Sequence, residues 1–447
     1  MNNGPLTEAR AAMSPAARIQ GMLDVEAALA ESLAAEGLIP SSCVPAIRDA
    51  ARADLYDAGT IEILAAKAGN PAIPLIEMLT ARVAAADPAA ARYVHWGATS
   101  QDILDTGLVL QLRAAVPAIQ ADLLRAAAGA IKLAREYADT AQAGRTWLQH
   151  ATPITFGLKA AGWADALSRS RTRLAQAFDQ AMVLQFGGAA GTLAALGGRG
   201  IAVANALGAR LDLRVPDLPW HAERDRLAEL ASALGITAGT LGKIGRDIAL
   251  LSQTEINEAH EAPAQGRGGS SSMPQKRNPV AASIAIAAAV RAPGLVSTML
   301  TAMPQEHERG LGGWQAEWET LPELVRLVAG SAASMAEALD SLVVRPEAMA
   351  ANLAITGGLT NAEAVSIALA GHVGVRRAHE IVANACRAAG SKSRPLADVL
   401  KEDAAAMAHL TPAEVDALLV PDRYLGMART FIERVLTRFD NPAGGDA

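Results

Sequence analysis

Residues 220–262 read WHAERDRLAELASALGITAGTLGKIGRDIALLSQTEINEAHEA, 43 residues without a proline. Leucine and isoleucine recur there at steps of three and four, which places them on one face of an α-helix: Leu227, Leu230, Leu234, Leu241, Ile244, Ile248 and Leu251. A second row consists of Gly235, Gly239, Gly242 and Gly245. Because each glycine costs a helix about 1 kcal/mol relative to alanine, this row predicts a neighbouring helix that approaches very closely. An unbroken helix of this length would span about 65 Å, which indicates an elongated bundle.

Helical periodicity also dominates the rest of the chain. Long helices are predicted from Asp102 to Ala138, with a kink at Pro117, and from Thr155 to Leu184. Strand-like alternation is nearly absent. The sequence therefore predicts an all-α protein with three helical domains: an N-terminal domain over residues 1–105, a central long-helix bundle over 106–352 and a C-terminal domain over 353–447.

Composition excludes several classes of function. The chain has 447 residues, 51% of them hydrophobic but only 3% aromatic, so alanine and leucine must fill the core. A net charge of −6 argues against a nucleic-acid partner. Cys43 and Cys386 are expected to be reduced thiols in a cytoplasmic protein.

No membrane partner is expected either. Residues 1–5, MNNGP, lack the pattern of a signal peptide. The most apolar run, Val280 to Val290, is interrupted by Arg291 and is predicted to be too short to span a bilayer.

Residues 269–279 read GSSSMPQKRNP and bring three hydroxyls, a lysine and an amide together. A serine can donate or accept a proton. Lys276 and Asn278 could hold a carboxylate and stabilise charge that develops beside it. A Gly/Ser linker followed by a solvated basic pair is the plainer interpretation, but the full run favours a catalytic loop.

Residues 93–102 read YVHWGATSQD and precede a long predicted helix. Thr99 and Asp102 have the spacing of a capping box. A helix N-terminus with free N–H groups and the hydroxyls of Thr99 and Ser100 is also suited to bind an anion. We therefore expect a carboxylate site here, with His95 as its neighbour; alone, His95 would be interpreted as structural.

Residues 144–153 read GRTWLQHATP, which by composition alone predicts an ordinary turn between helices. Together, however, the three runs resemble the motif segments of the fumarase/aspartase superfamily, in the superfamily's order. Residues 187–192 resemble its further glycine loop, and the resemblance covers essentially the whole chain. It implies a fumarase/aspartase fold, a homotetramer, and active sites that each combine motifs from three subunits.

Within the superfamily the chain is most similar to the bacterial cycloisomerases that lactonise 3-carboxy-cis,cis-muconate in protocatechuate (β-ketoadipate) catabolism. The similar stretches are residues 17–29, 97–102, 155–163 and 220–226. The resemblance implies a small-molecule tricarboxylate substrate. A carboxylate oxygen would add across a double bond, and the adjacent carbanion-like carbon would then be protonated.

Two departures from the superfamily's lyases support this interpretation. Those enzymes typically carry a histidine where this chain has Trp147, and tryptophan cannot shuttle a proton at neutral pH; His150 could partly substitute. Adenylosuccinate lyases also use a serine and an arginine to hold the nucleotide. Gly312, Trp314 and Trp318 remove such polar groups here.

The resemblance assigns roles residue by residue. The predicted catalytic residues are Ser270, Lys276, Arg309 and Trp147, and the predicted substrate-binding residues are Thr99, Ser100, Gln149, Asn278, His95 and His150. Ser270 matches the serine that abstracts a proton in the lyases. In the lactonising direction it would deliver one, with Lys276 stabilising its alkoxide.

No cofactor and no metal are expected, since the reaction involves no redox change and no His-Glu-x-x-His pattern is present. Two alternatives stay open: a fumarate-releasing lyase such as an adenylosuccinate lyase, and a non-catalytic helical scaffold. The two tryptophans, Trp147 and Trp318, count against the first. The set of Ser270, Lys276 and Asn278 counts against the second.

Overall fold

The computed structural model describes residues 4–263, 268–269 and 272–441. Helix accounts for 71% of the chain, and the strands described form only two small antiparallel pairs. The prediction of an all-α fold with long central helices is therefore confirmed.

The described helices fall into three groups along the chain. The first group is α1 (Pro5–Ala12), α2 (Pro15–Ala35), α3 (Val44–Ala50), α4 (Ala58–Ala68) and α5 (Ala72–Ala86). The long helices are α6 (Ser100–Glu136), α7 (Phe156–Ala181), α9 (Asp225–Leu251), α10 (Val280–Ala302) and α11 (Gly313–Asp340), with the shorter α8 (Gly200–Leu211) between them. The last group is α12 (Pro346–Ala354), α13 (Ala362–Val373), α14 (Val375–Lys392), α15 (Leu396–Glu402), α16 (Ala404–Met407), α17 (Pro412–Leu418) and α18 (Ala428–Asp440).

Four short strands accompany the helices. Strands β1 (Ala141–Thr146) and β2 (Gln149–Thr155) form a hairpin, in which Ala141 pairs with Thr155 and Thr146 with Gln149. Strands β3 (Ala259–His260) and β4 (Val343–Val344) form the second pair.

The chain divides into two compact units. Unit 1 comprises residues 1–123, 170–242 and 284–333, and unit 2 comprises residues 124–169, 243–283 and 334–447. Each of the five long helices has residues in both units. The three-domain division of the sequence at residues 105 and 352 stays a prediction.

The glycines of α9 allow a close helix contact inside unit 1. A Cβ on Gly235 would lie 2.5 Å from Cγ2 of Val296, and one on Gly242 would collide with Ala289. Both partners lie on α10. At Gly239 no described atom lies within 4 Å. The predicted close approach is confirmed at two positions of the row.

Helix α9 is shorter than the proline-free stretch suggested. It runs over Asp225–Leu251, so the prediction of one unbroken helix from Trp220 to Ala262 is wrong. The N–H of Trp220 bonds to the side chain of Gln185 and not to a helical carbonyl. After Leu251 the chain turns through Asn257, whose φ of 49° is left-handed, and enters β3. Tertiary partners at both ends override the helical propensity.

Helix α10 extends beyond the apolar run of residues 280–290. It continues past Arg291 to Ala302, because arginine is a good helix former and its charge pairs with Glu323. The expectation that this segment is too short to span a bilayer is wrong by length, since α10 has 23 residues. By length and composition alone, α6 and α10 could each cross a membrane, as could the bent pair Pro346–Ala354 and Leu359–Val373 taken as one span.

Candidate active site

In unit 1, the N-terminus of α6 holds an arginine. Nη1 of Arg309 donates to Oγ1 of Thr99 at 2.7 Å, and Nε donates to Oε1 of Gln101 at 3.3 Å. Nη2 lies 3.5 Å from Oγ of Ser100. All of these side chains except Gln101 are partly exposed. A guanidinium, two hydroxyls and a helix N-terminus thus converge, which is a favourable arrangement for a carboxylate.

Asp102 fixes the loop before α6 from inside the protein. Its carboxylate is fully buried. The donors to its two oxygens, at 2.9–3.0 Å, are the N–H groups of Thr99, Gly187 and Gly188 and the side chains of Gln185 and His221. The capping interaction predicted between Asp102 and Thr99 is therefore present. The same carboxylate also anchors the glycine loop, which the sequence did not predict.

A second buried network lies one turn further along α6. Arg224, 1% exposed, forms paired hydrogen bonds to Asp105 at 2.6 and 3.1 Å and to Glu317 at 2.5–3.1 Å. Burial lowers the pKa of Arg224, but the charges of Asp105 and Glu317 outweigh this effect and raise it. Trp314 donates from Nε1 to Asp105 at 3.0 Å. This network fixes α11 against α6 beneath the Arg309 site.

His95 lies in the same loop, four residues before Thr99. Its Nδ1 is 2.6 Å from Oε1 of Glu26, a carboxylate on α2 that is 1% exposed. Burial lowers the pKa of His95, but the hydrogen bond and charge of Glu26, together with the charge of Asp102, raise it above its ordinary value. Glu26 was not among the predicted site residues.

Asn70 is a further unit 1 residue that the sequence did not indicate. Its Nδ2 lies 3.3 Å from Oγ of Ser100, and its Oδ1 accepts the N–H groups of Ala72 and Ile73 at the start of α5. The short stretch around it, Gly69-Asn70-Pro71, looks like an ordinary turn in the sequence. Only the fold brings it to Ser100.

In unit 2, residues 144–153 form most of the β1–β2 hairpin, and the interpretation as a turn between helices is wrong. Trp147 and Leu148 are its two turn residues, with φ of 52° and 64°. Positive φ at both positions is typical of a tight hairpin turn but is costly for large side chains. Trp147 is 97% exposed and Leu148 is 73% exposed. Gln149, the first residue of β2, is also exposed.

An ion pair to a buried carboxylate holds this hairpin close to its tip. Arg145 bonds through both terminal nitrogens to Glu258, at 2.6 and 3.0 Å. Gln142 and Asn352 donate to the same carboxylate at 2.7 and 2.8 Å. Burial would raise the pKa of Glu258, but these hydrogen bonds and the charge of Arg145 bring it below its usual value.

His150 lies on β2 beside this ion pair and is partly buried. Burial and the charge of Arg145 lower its pKa, against the opposing charge of Glu258. Its Nδ1 is buried without a hydrogen-bond partner among the described residues. A neutral His150 is therefore favoured at neutral pH.

Lys276 and Asn278 lie in a loop of unit 2 that leads into α10. The Lys276 side chain is exposed, and its N–H bonds to the carbonyl of Met273 at 3.0 Å in a turn. The N–H of Asn278 bonds to the carbonyl of Gly268 at 2.8 Å. Glu261 caps α10 by accepting the N–H groups of Ala281 and Ala282. Ser270 lies outside the described residues.

The structure therefore brings Thr99, Ser100 and Arg309 together in unit 1, with His95 four residues before Thr99 in the same loop and bonded to Glu26. It places Trp147, Gln149, His150, Lys276 and Asn278 in unit 2. The catalytic roles of all these residues stay predictions. Among the described residues, no group of three or more histidine, cysteine or acidic side chains has the geometry to hold a metal ion.

Comparison with known proteins places this geometry in a family. A family model described as Lyase matches residues 4–294, and one described as Adenylosuccinate lyase C-terminus matches residues 358–435. The chain belongs to the fumarase/aspartase superfamily. A curated member of this superfamily, the 3-carboxy-cis,cis-muconate cycloisomerase of Pseudomonas aeruginosa, is 54% identical over 96% of this chain and 93% of its own length.

A solved structure supports the same placement. The 3-carboxy-cis,cis-muconate lactonizing enzyme from Pseudomonas putida superposes with a TM-score of 0.91 at 49% identity, covering 98% of this chain and 97% of its own. The superfamily also contains relatives with another activity. The nitrosuccinate lyase of Streptomyces davaonensis is 40% identical over 96% of this chain and 92% of its own length.

Proposed function

We propose that the protein is a 3-carboxy-cis,cis-muconate cycloisomerase of protocatechuate catabolism. Relatives of that name are 44–54% identical over most of the chain. The observation that carries the proposal is the Arg309 site, where a guanidinium meets the hydroxyls of Thr99 and Ser100 at the N-terminus of α6. A substrate with three carboxylates needs such a site.

The reaction requires the protein to stabilise negative charge that develops on the substrate. One substrate carboxylate oxygen adds to a carbon of the diene, and the electron pair moves to the adjacent carbon and into its carboxylate. That carbon then takes up one proton, so a trianion plus a proton becomes a lactone dianion. Preorganised donors that face the developing charge are worth about 2.7–4 kcal/mol each in favourable cases. Arg309, Lys276 and Asn278 are the proposed donors.

The remaining roles follow the superfamily. Ser270 is the proposed proton carrier, and Thr99, Ser100, Gln149 and His150 are the proposed ligands of the other carboxylates. Trp147 occupies the position of the lyases' histidine. It supplies an apolar wall and cannot exchange a proton, which suits an addition that releases no fragment.

A homotetramer with shared active sites is part of the proposal. The hairpin tip at Trp147 and Leu148 is almost fully exposed in a single chain, which is unusual for large apolar side chains. Helix α10 likewise exposes Val290 (71%) and Leu300 (47%). We infer that other copies of the chain cover these surfaces, not lipid, and that the enzyme is soluble and cytoplasmic. No nucleic-acid partner is proposed.

The test is a spectroscopic assay. Purified protein is mixed with 3-carboxy-cis,cis-muconate while the conjugated-diene absorbance and proton uptake are followed together. We expect rapid loss of absorbance with one proton consumed per molecule. Adenylosuccinate and nitrosuccinate are run alongside, and turnover of either one in place of the muconate would make the protein a lyase. A folded tetramer inactive on all three would favour the scaffold alternative.

Replacing Lys276 by methionine is expected to lower kcat by about 10²–10³-fold, the effect of removing one preorganised donor. The side chain is exposed in the single chain, so the fold should be unaffected. Lys401→Met, which removes a partly exposed lysine paired with Asp416, is the control. Wild-type turnover by Lys276→Met in the steady-state assay would remove Lys276 from the mechanism.

A further inference from the structure

Glu26 and His95 form a pair that the proposed reaction has not used. Glu26 is 1% exposed, yet its carboxylate binds only one described side chain, through Oε1 to Nδ1 of His95 at 2.6 Å. Its second oxygen, Oε2, is buried without a partner among the described residues. A buried carboxylate with one free oxygen is costly. This cost suggests a functional reason for keeping it.

The backbone around His95 is also specialised. His95 has φ of 60°, and Gly97 has φ of 80°. A side chain at Gly97 would collide with Leu196, since a Cβ there would lie 2.5 Å from Cδ2. Two residues further on, Thr99 is fixed by Asp102 and Arg309. A non-glycine residue with positive φ, such as His95, is often found at a functional site.

The hydrogen bond to Glu26 determines what the other ring nitrogen can do. With Nδ1 directed at a carboxylate, a protonated ring has its second N–H free at Nε2. Among the described residues His95 bonds only through Nδ1. The charged groups that act on its ring are Glu26 on α2 and Asp102 on α6, and both favour the protonated form.

We propose that Glu26 is a positioning residue of the active site, which keeps His95 protonated and holds its ring so that Nε2 donates to one substrate carboxylate. The inference rests on the proposed function, because it concerns the same substrate. It assigns a donor for a second substrate carboxylate from the same loop that carries Thr99. It also explains why an acidic residue is buried beside a site for an anion.

The first test measures the protonation of His95 without turnover. Deuterium exchange at Cε1 of each histidine, read by mass spectrometry across pH, reports the pKa of each ring. We expect Glu26→Gln to lower the pKa of His95, because the amide lacks the charge that holds the proton. Glu36→Gln, which removes the partly buried partner of Arg199, is the control and should leave the pKa of His95 unchanged. An unchanged His95 in Glu26→Gln would overturn the proposal.

The second test uses the pH dependence of KM. In the wild type, KM for the tricarboxylate should rise as pH passes through the raised pKa of His95, since neutral Nε2 repels a carboxylate. In Glu26→Gln the rise should begin at lower pH, with KM about ten-fold higher at neutral pH and kcat affected less. Glu26→Asp should be intermediate. A KM profile that does not follow the exchange profile would also overturn the proposal.

A double variant tests whether Glu26 affects KM through His95 or only through the stability of the protein. In a His95→Gln background, Glu26→Gln should raise KM no further, because its target is already gone. An equal further increase would show that Glu26 acts elsewhere. If the wild type does not turn over the muconate, the proposed function fails. The exchange experiment still decides whether Glu26 controls the proton on His95.

Discussion

Replacing Arg309 by methionine is expected to lower kcat/KM by about a thousand-fold, the upper range for loss of one preorganised donor. Arg309 contacts Thr99 and Gln101 from a partly exposed position. Its loss should therefore leave the unfolding temperature within a few degrees of the wild type. Steady-state kinetics and thermal unfolding of the same preparation provide both measurements.

Two further variants test whether the effect of Arg309→Met comes from the donors of Arg309 itself. Arg309→Lys keeps the charge but not the fork of donors, so its activity should fall between wild type and Arg309→Met. Arg199→Met removes an exposed arginine paired with Glu36 in the same unit and should keep full activity. Nearly wild-type kinetics in Arg309→Met would show that the substrate carboxylate is held elsewhere.

Replacing Arg224 by methionine is expected to lower the free energy of unfolding by about 3–5 kcal/mol, because Asp105 and Glu317 would be left buried without their cation. Burial raises the pKa of Glu317, and in the variant the opposing charge of Arg224 is gone, so this pKa lies further above its unfolded value. Stability contributed by such groups is present at low pH and is lost as pH rises. The variant should therefore fall further below the wild type at pH 8 than at pH 5, as measured by chemical denaturation.

The control for Arg224 is Arg214→Met, which removes an exposed arginine near Asp179. A surface pair of this kind contributes about 0–1 kcal/mol. Adding Asp105→Asn and Glu317→Gln to Arg224→Met removes both uncompensated charges and should restore part of the stability. If Arg224→Met and Arg214→Met have the same free energy of unfolding, the buried network does not stabilise the contact between α6 and α11.

The helical architecture was predictable because leucine and isoleucine at three- and four-residue spacing form the buried face of a helix, as they do in α9. The ends of the helices were not. Trp220 leaves the helical pattern because its N–H is used by Gln185, and Asn257 turns the chain so that Glu258 meets Arg145. Such partners lie far away in sequence, so local propensity cannot report them.

Contacts between residues far apart in sequence also limited the prediction of the candidate site. Thr99, Ser100 and Arg309 could be selected from their motifs, but a contact across 210 positions needs the fold. Asn70 and Glu26 gave no local signal. The hairpin around Trp147 was missed because a Trp-Leu turn lacks the glycine or asparagine that normally marks positive φ.

The exposed hairpin tip also gives the protein a built-in optical reporter. Of its six tryptophans, Trp163, Trp220 and Trp314 are buried, Trp318 is partly buried and Trp96 is 42% exposed, whereas Trp147 is 97% exposed in the single chain. Indole emission shifts to shorter wavelength when the ring leaves water, and iodide quenches only rings that it can reach. The difference in fluorescence between the wild type and Trp147→Phe therefore distinguishes a free tip from a covered one, without any added label.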